Sequence, residues 1–225
     1  MFNLRRGAGM VTVIIPTKGR PGKLLRCIQS IPPHVNIAVH ATCHSDIPDS
    51  ARQLDVSFGN EGVVQSFNLL ADRLTGDVLP ACDDVEFMPG CIEALEHALL
   101  GRDGDAVVGS HVVNRKHNED AFVLVGRKII RERGYLFYPE FRHFFIDFEL
   151  GSYARSSGRF LFNPSSQLVH HHPEVSGEYD TTHSNGRMDK WRHDKSVWDR
   201  IKGKPLDLRN ATPQTPLPPS PASAP

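Results

Sequence analysis

At 225 residues, 39% apolar and 23% charged, the chain can bury a substantial core as one large domain or two small lobes. Lys plus Arg and Asp plus Glu balance at 26 each, which argues against a general polyanion-binding surface. No run of about 18 apolar residues occurs, so no transmembrane helix is expected. Cys27, Cys43, Cys82 and Cys91 lack CxxC spacing, which argues against a zinc site and for free thiols in a reducing compartment. The opening Met1-Phe-Asn-Leu-Arg-Arg has no apolar signal core, so the expected location is cytoplasmic.

In chain order, residues 1–10 form a leader, and Val11 to Pro16 is a β-branched run that predicts a buried strand. Thr17 to Pro21 is a turn, with Pro21 suited to the first turn of a helix. Leu24, Leu25, Ile28 and Ile31 fall on one helical face, and Pro32-Pro33 ends it. Asn36 to Thr42 and Leu54 to Phe58 predict two more strands, and residues 63–74 a helix. Asp77 to Phe87 reads as an apolar strand of about six residues ending in Asp83 and Asp84. A helix follows, with Ile92, Leu95 and Leu99 at helical spacing. This alternation of strand and helix marks a parallel sheet with crossovers.

Beyond Gly101 the pattern changes. Ala106–Ser110 and Ala121–Val125 predict strands, antiparallel around a polar loop, and Ile129–Gly134 a short helix or turn. Phe144–Ala154 is helical by spacing, and Arg159–Phe162 and Gln167–His170 read as two edge strands. Residues 176–204 form a helical annex with Trp191 and Trp198 seven apart, and residues 205–225, with seven prolines, a disordered tail. Trp191 and Trp198 are read as core rather than as sugar platforms.

A carboxylate pair at the carboxyl end of a strand is well placed to hold a divalent cation against a phosphorylated ligand. The first 45 residues carry Arg5, Arg6, Lys18, Arg20, Lys23 and Arg26 and no acid, which also suits a phosphate-bearing ligand.

Several pieces, in order over residues 11 to about 175, resemble a GT-A glycosyltransferase of the family 2 type. They are VTVIIPTKGRP, Asn60-x-Gly62 followed by Asn68, Cys82-Asp83-Asp84-Val85 in place of a DxD motif, Ile146-Asp147-x-Glu149-Leu150, and Leu168-Val169-His170. The fold implied is α/β, a mixed nucleotide-sugar transferase sheet flanked by helices with a short C-terminal annex. Its nucleotide-sugar-binding half is 11–108 and its acceptor half 109–175. The activity implied is inverting transfer from a nucleoside-diphosphate sugar, a UDP-sugar above all, to an acceptor hydroxyl, with Mn²⁺ or Mg²⁺.

On this resemblance Asp84 is a metal ligand and Asp83 a ribose or sugar-phosphate contact, although Cys82 stands where the motif has its first acid. His170 is the second metal ligand, with His172 joining it or holding the diphosphate; strand alternation turns His170 and His172 one way and His171 the other. Asp147 is the general base, and Glu149 takes that role if the register slips by two. Pro16, Thr17 and Arg20 lie against the nucleotide base, and Asn60, Gly62 and Asn68 shape its pocket. The second strand lacks the acid that reads the base, and Asp46 is a displaced candidate. The acceptor is a glycan, a small molecule or a modified nucleic-acid base. The basic residues of the annex could meet an anionic acceptor. The rival functions are a nucleotidyltransferase acting on a sugar phosphate and a non-catalytic nucleotide- or sugar-binding module.

Overall fold

A computed structural model of the protein describes residues 11–51, 54–114, 120–172 and 187–204. The expected leader, tail and first part of the annex lie outside these residues. Strands β1 (Thr12–Thr17), β2 (Asn36–Ala41), β3 (Asp55–Phe58) and β4 (Val78–Pro80) pair in parallel in the order β3-β2-β1-β4. Helices α1 (Pro21–Ser30) and α2 (Val63–Asp72) connect them. Strand β5 (Val85–Phe87) and helix α3 (Cys91–Leu100) follow, then β6 (Val107–Val112) and β7 (Val123–Val125), which are antiparallel as expected. Helices α4 (Arg127–Arg133) and α5 (Ile146–Ser156), strand β8 (Phe160–His170) and helix α6 (Arg187–Ile201) complete the described elements. One sheet runs β3-β2-β1-β4-β7-β6-β8-β5, so both expected halves share it, and the boundary at residue 108 falls inside β6.

The β-branched content of β1 fits its place in the middle of the parallel half. Val13 and Ile15 pack with Leu24 and Cys27 of α1 and Ile92, Leu95 and Leu99 of α3. Ile14, on the opposite face, packs with Val64, Phe67 and Leu70 of α2, and the same core takes in Leu150 of α5 and Val197 and Ile201 of α6. A strand buried on both faces reads as continuous apolar sequence, which is why it is legible. Part of the annex is therefore core: Trp198 is partly buried against this second cluster and stacks on Phe145. Trp191 departs from expectation, standing 40% exposed at 6.3 Å from the same ring.

Two expectations need correction. The run from Asp77 to Phe87 is two strands, because the chain turns at Cys82–Asp84 and crosses the sheet to pair β5 with β8 at the far edge. The segments 159–162 and 167–170 are one strand of 11 residues, not two edges: β8 runs between β6 and β5, with an irregularity opposite Ser110/His111. At that point Asn163 Nδ2 donates to Ala94 O and Ser166 Oγ to Ser110 Oγ, so the polar residues that look like a break are bonded within the fold.

Candidate active site

Ligands of open α/β sheets gather beyond the carboxyl ends of the parallel strands. Here that end holds a cavity of about 540 Å³. Pro16, Thr17, Lys18 and Arg20 from the turn after β1 line one part, with His40, Asn60, Glu61 and Gly62 beside them. His172, Arg142, His143 and Phe144 line it too, as do Arg187 and Lys190 of α6. Pro16, Thr17, Arg20, Asn60, Gly62 and His172 thus lie on one cavity.

The Asp83–Asp84 turn sits behind this wall. Thr17 Oγ1 donates to Asp83 Oδ2 at 2.7 Å, and Arg20 Nη2 lies 2.9 Å from Asp83 Oδ1. Arg20 Nη1 also reaches Asp84 Oδ2 at 3.5 Å, and His170 Nε2 stands 3.2 Å from Asp84 Oδ1. The β5–β8 pairing sets Val85 opposite His170 and so delivers the imidazole to the carboxylate. Asn114 braces the histidine backbone, its Nδ2 donating to His170 O and its Oδ1 accepting from His170 N. The His170 and His172 rings are 5.3 Å apart, whereas His171 turns away to Glu86 at 2.9 Å.

The two adjacent carboxylates are driven apart in acidity. Burial pushes Asp83 up to about 6, against the pull of Arg20 and the Thr17 hydrogen bond. Burial also opposes ionisation of Asp84, but the His170 hydrogen bond, the charge on His170 and Arg20 together hold it below its ordinary value. Neighbouring groups of opposed acidity characterise sites that do chemistry. Asp84 Oδ1 and His170 Nδ1 are buried without a well-aligned hydrogen bond. Among the described residues no set of three His, Cys, Asp or Glu side chains is gathered at metal-ligand spacing. One carboxylate and one imidazole fit a Mn²⁺-type or Mg²⁺-type ion that takes its other ligands from water and ligand phosphates.

Asp147 lies in the first turn of α5, partly buried, with Oδ1 accepting from Phe148 N at 2.9 Å. Burial raises its pKa, opposed mainly by that bond, and its charge contributes to raising the Cys82 thiol, which places it near the Asp83–Asp84 turn. The residue before the helix, Phe145, has φ +65°, uncommon for a bulky side chain. It is held there by its neighbours: the ring stacks on Trp198, and Asp194 of α6 grips the preceding loop. Asp194 is fully buried; its Oδ1 accepts from Arg142 N at 2.9 Å and its Oδ2 from His143 N and Phe144 N at 2.8 and 2.7 Å.

Three expected site residues are placed elsewhere. Glu149 is wholly buried in an ion pair with Arg133, where it cannot meet an acceptor from solvent. Asn68 is occupied in holding a loop to α2: its Nδ2 donates to Phe137 O and its Oδ1 accepts from Leu136 N and Phe137 N. Asp46 is buried, accepting from Gly19 N and Cys43 N, so it braces the turn after β1. Among the described residues the carboxylate that does line the cavity is Glu61, whose Oε2 lies 2.9 Å from His40 Nε2, with Ser57 Oγ on the other ring nitrogen. Its sequence signal is slight, an acid between Asn60 and Gly62. Arg142, His143 and Asp194 have none of their own beyond polarity.

Gly62 caps α2 at φ +98°. Gly62→Ala should therefore destabilise the protein by about 1 to 3 kcal/mol. A Cβ there would also stand 3.2 Å from Gln65 Oε1. Thermal unfolding of the variant checks this, and an unchanged midpoint would refute it.

The fold that carries this site is the GT-A glycosyltransferase fold, a mixed sheet flanked by helices. A mannosyltransferase from Pyrobaculum calidifontis, solved with GDP-mannose and Mn²⁺, aligns with a TM-score of 0.62 at 14% identity over 89% of this chain. TarS of S. aureus aligns at 0.58 and 12% over 89%, and its residues 1–349 with UDP-GlcNAc at 0.58 and 11%. This chain spans 66% of the mannosyltransferase and 41% of the longer TarS chain. No protein-family model matches the sequence, and no curated protein does.

Proposed function

We propose that the protein is a metal-assisted, inverting glycosyltransferase that moves a sugar from a nucleoside-diphosphate sugar, a UDP-sugar in the first instance, to an acceptor hydroxyl. The observation that carries the reading is the convergence of Asp84 and His170, 3.2 Å apart, behind a cationic cavity at the carboxyl end of a GT-A sheet. The structural neighbours add support, since their solved complexes hold GDP-mannose with Mn²⁺ and UDP-GlcNAc.

In this reading Asp84 and His170 hold the ion, with His172 beside them, and the bound ion supplies Lewis-acid stabilisation to the departing diphosphate. Lys18 and Arg20 face the same negative charge from the turn after β1. Asp83 fixes Arg20 and Thr17 in place. Asp147 accepts the proton of the acceptor hydroxyl as its oxygen bonds to the anomeric carbon and the bond from that carbon to the diphosphate oxygen breaks. Attack opposite the leaving group inverts the anomeric centre. A carboxylate whose pKa is raised by burial is a better base for an alcohol than an ordinary aspartate.

The test is thermal stability with UDP, GDP and their sugars, with and without Mn²⁺. Ligand at about a hundred times its Kd adds about 2.7 kcal/mol, which moves the midpoint of a chain this size by several degrees. The expected shift requires nucleotide and metal together. Equal shifts without metal, or none with any nucleotide, would overturn the scheme. Release of pyrophosphate from a nucleoside triphosphate and a sugar phosphate would assign the nucleotidyltransferase reaction instead.

A further inference from the structure

Asp194 is a charged residue on the face of α6 that packs against the core. Asp194, Val197, Trp198 and Ile201 follow one another at helical spacing; Val197 and Ile201 belong to the second core cluster, and Trp198 packs against it. The carboxylate is wholly buried. Burying it is costly unless its oxygens are hydrogen-bonded, and for stability alone an apolar residue of similar size often serves as well or better. Asp194 directs its bonds to one short loop, Oδ1 accepting from Arg142 N and Oδ2 from His143 N and Phe144 N. His193 Nδ1 stands 2.9 Å from Oδ1 as well.

The start of α5 follows that loop directly. Phe145, at φ +65° and ψ 2°, has no side-chain acceptor with which to cap the helix, and Asp147 Oδ1 accepts from Phe148 N inside the first turn. The entry angle of α5 is therefore set from outside the helix. Asp194 holds the three residues before Phe145, and Trp198 stacks on the Phe145 ring, 6.3 Å between centroids and 8° between planes. A bulky side chain leaves the left-handed region when nothing holds it there. Return of Phe145 to negative φ would turn the first peptide planes of α5, and Asp147, two residues on, would turn with them.

We infer that Asp194 and Trp198 are positioning residues, which together hold Phe145 in its left-handed conformation and so fix the direction in which α5 presents Asp147. Only the role of Asp147 as base rests on the glycosyltransferase reading; the clamp, the stack and the strained residue do not depend on it. The turn after β1, which faces the diphosphate in that reading, takes its support elsewhere. Gly19 N donates to Asp46, Thr17 Oγ1 to Asp83 and Lys18 Nζ to Asn60. Because Arg142, His143 and Phe144 also line the cavity, loosening the clamp should cost some nucleotide affinity, but less than it costs in turnover.

The experiment uses the full chain and the variants Asp194→Asn, Trp198→Leu and Trp198→Phe. Asparagine keeps the size of the side chain but turns an amide N–H towards donors that need an acceptor. Leucine keeps the burial and removes the ring, and phenylalanine keeps a ring that can stack. Hydrogen exchange is followed through residues 142–150, and kcat and nucleotide affinity are measured well below each unfolding midpoint. Asp194→Asn and Trp198→Leu should speed exchange over 142–150 more than in β1 and β2. Each should lower kcat by about ten- to a hundredfold, the scale of a misplacement of about 1 Å. Trp198→Phe should stay close to the wild type in both. In an Asp147→Asn background Asp194→Asn should cost little further turnover, since the group it positions is already gone. If Asp194→Asn does not fold, Trp198→Leu carries the same comparisons.

A lower midpoint with kcat unchanged, exchange that rises evenly along the chain, or full additivity with Asp147→Asn would reduce the two residues to structural supports and overturn the proposal. If Asp147→Asn is itself as active as the wild type, the base assignment fails alone, and exchange over 142–150 still decides whether α6 positions α5.

Discussion

Asp147→Asn should lose turnover by about a hundred- to ten-thousandfold with the fold intact, while Glu149→Gln, two residues along the same helix, should act by destabilising the fold. The difference follows from where each carboxylate lies. Asp147 is partly buried near Cys82, bonded only within its own helical turn, so an amide of the same size disturbs little. Glu149 is wholly enclosed with Arg133, whose guanidinium also lies 4.8 and 4.9 Å from the rings of Tyr135 and Tyr153. Removing the negative partner leaves a buried cation without compensation, a loss of about 3 to 5 kcal/mol. Against a total stability of about 5 to 15 kcal/mol that is a large share, and it should lower the unfolding midpoint by roughly 6 to 20 °C.

The pH profile separates the two further. Because burial raises the pKa of Asp147, the acidic limb of kcat should fall above the ordinary aspartate range of about 3.9. Activity should rise with pH through that limb as the carboxylate becomes able to accept a proton, and Asp147→Asn should abolish the limb along with most of the rate. A Glu149→Gln protein that is as stable as the wild type but inactive would transfer the role of base to Glu149 and refute the assignment.

The same pair of carboxylates marks how far sequence patterns reach. Two positions apart on a helix means nearly opposite faces, so Asp147 and Glu149 cannot substitute for each other without a change of helix register. The apolar runs of β1 and β2 are legible because a strand buried on both sides has no polar face to confuse its pattern. The turn at Cys82–Asp84 is not, because Asp77–Ala81 continues smoothly into it and nothing local says that β5 crosses to β8. Asn163-Pro164-Ser165-Ser166 reads as a strand end, and only the partners Ala94 and Ser110 make it an interior irregularity. Asp84 and His170 can be paired by their order in a known pattern, but their contact depends on an antiparallel register that sequence does not state. Asp194 is hidden for a similar reason: an aspartate in a polar helix is ordinary, and its importance lies in three N–H groups about fifty residues earlier in the chain.

The second large effect is expected at Asp84. Asp84→Asn keeps the shape of the side chain but removes the charge that stands between Arg20 and His170. If that oxygen and that imidazole hold the ion, the variant should lose the metal dependence of nucleotide binding and fall in turnover by about a thousandfold, since Lewis-acid stabilisation of a leaving diphosphate is worth several kcal/mol. Asp83→Asn should do less to metal coupling, because Asp83 spends its oxygens on Thr17 and Arg20. Their acidities predict opposite consequences for stability. Asp84, held below its ordinary pKa, contributes stability that is present above its unfolded value and lost as pH falls through the folded one, so its amide should be the less stable protein near neutrality. Asp83, pushed up to about 6, is a group whose ionisation the fold resists, so stability falls as pH rises from about 4 through 6, and its amide should be spared that loss. Nucleotide-induced shifts measured with and without Mn²⁺ on the two amides decide the matter. Were Asp83→Asn to abolish the coupling while Asp84→Asn preserved it, the ion would belong to the Arg20 side of the turn, and His170 would have no part in holding it.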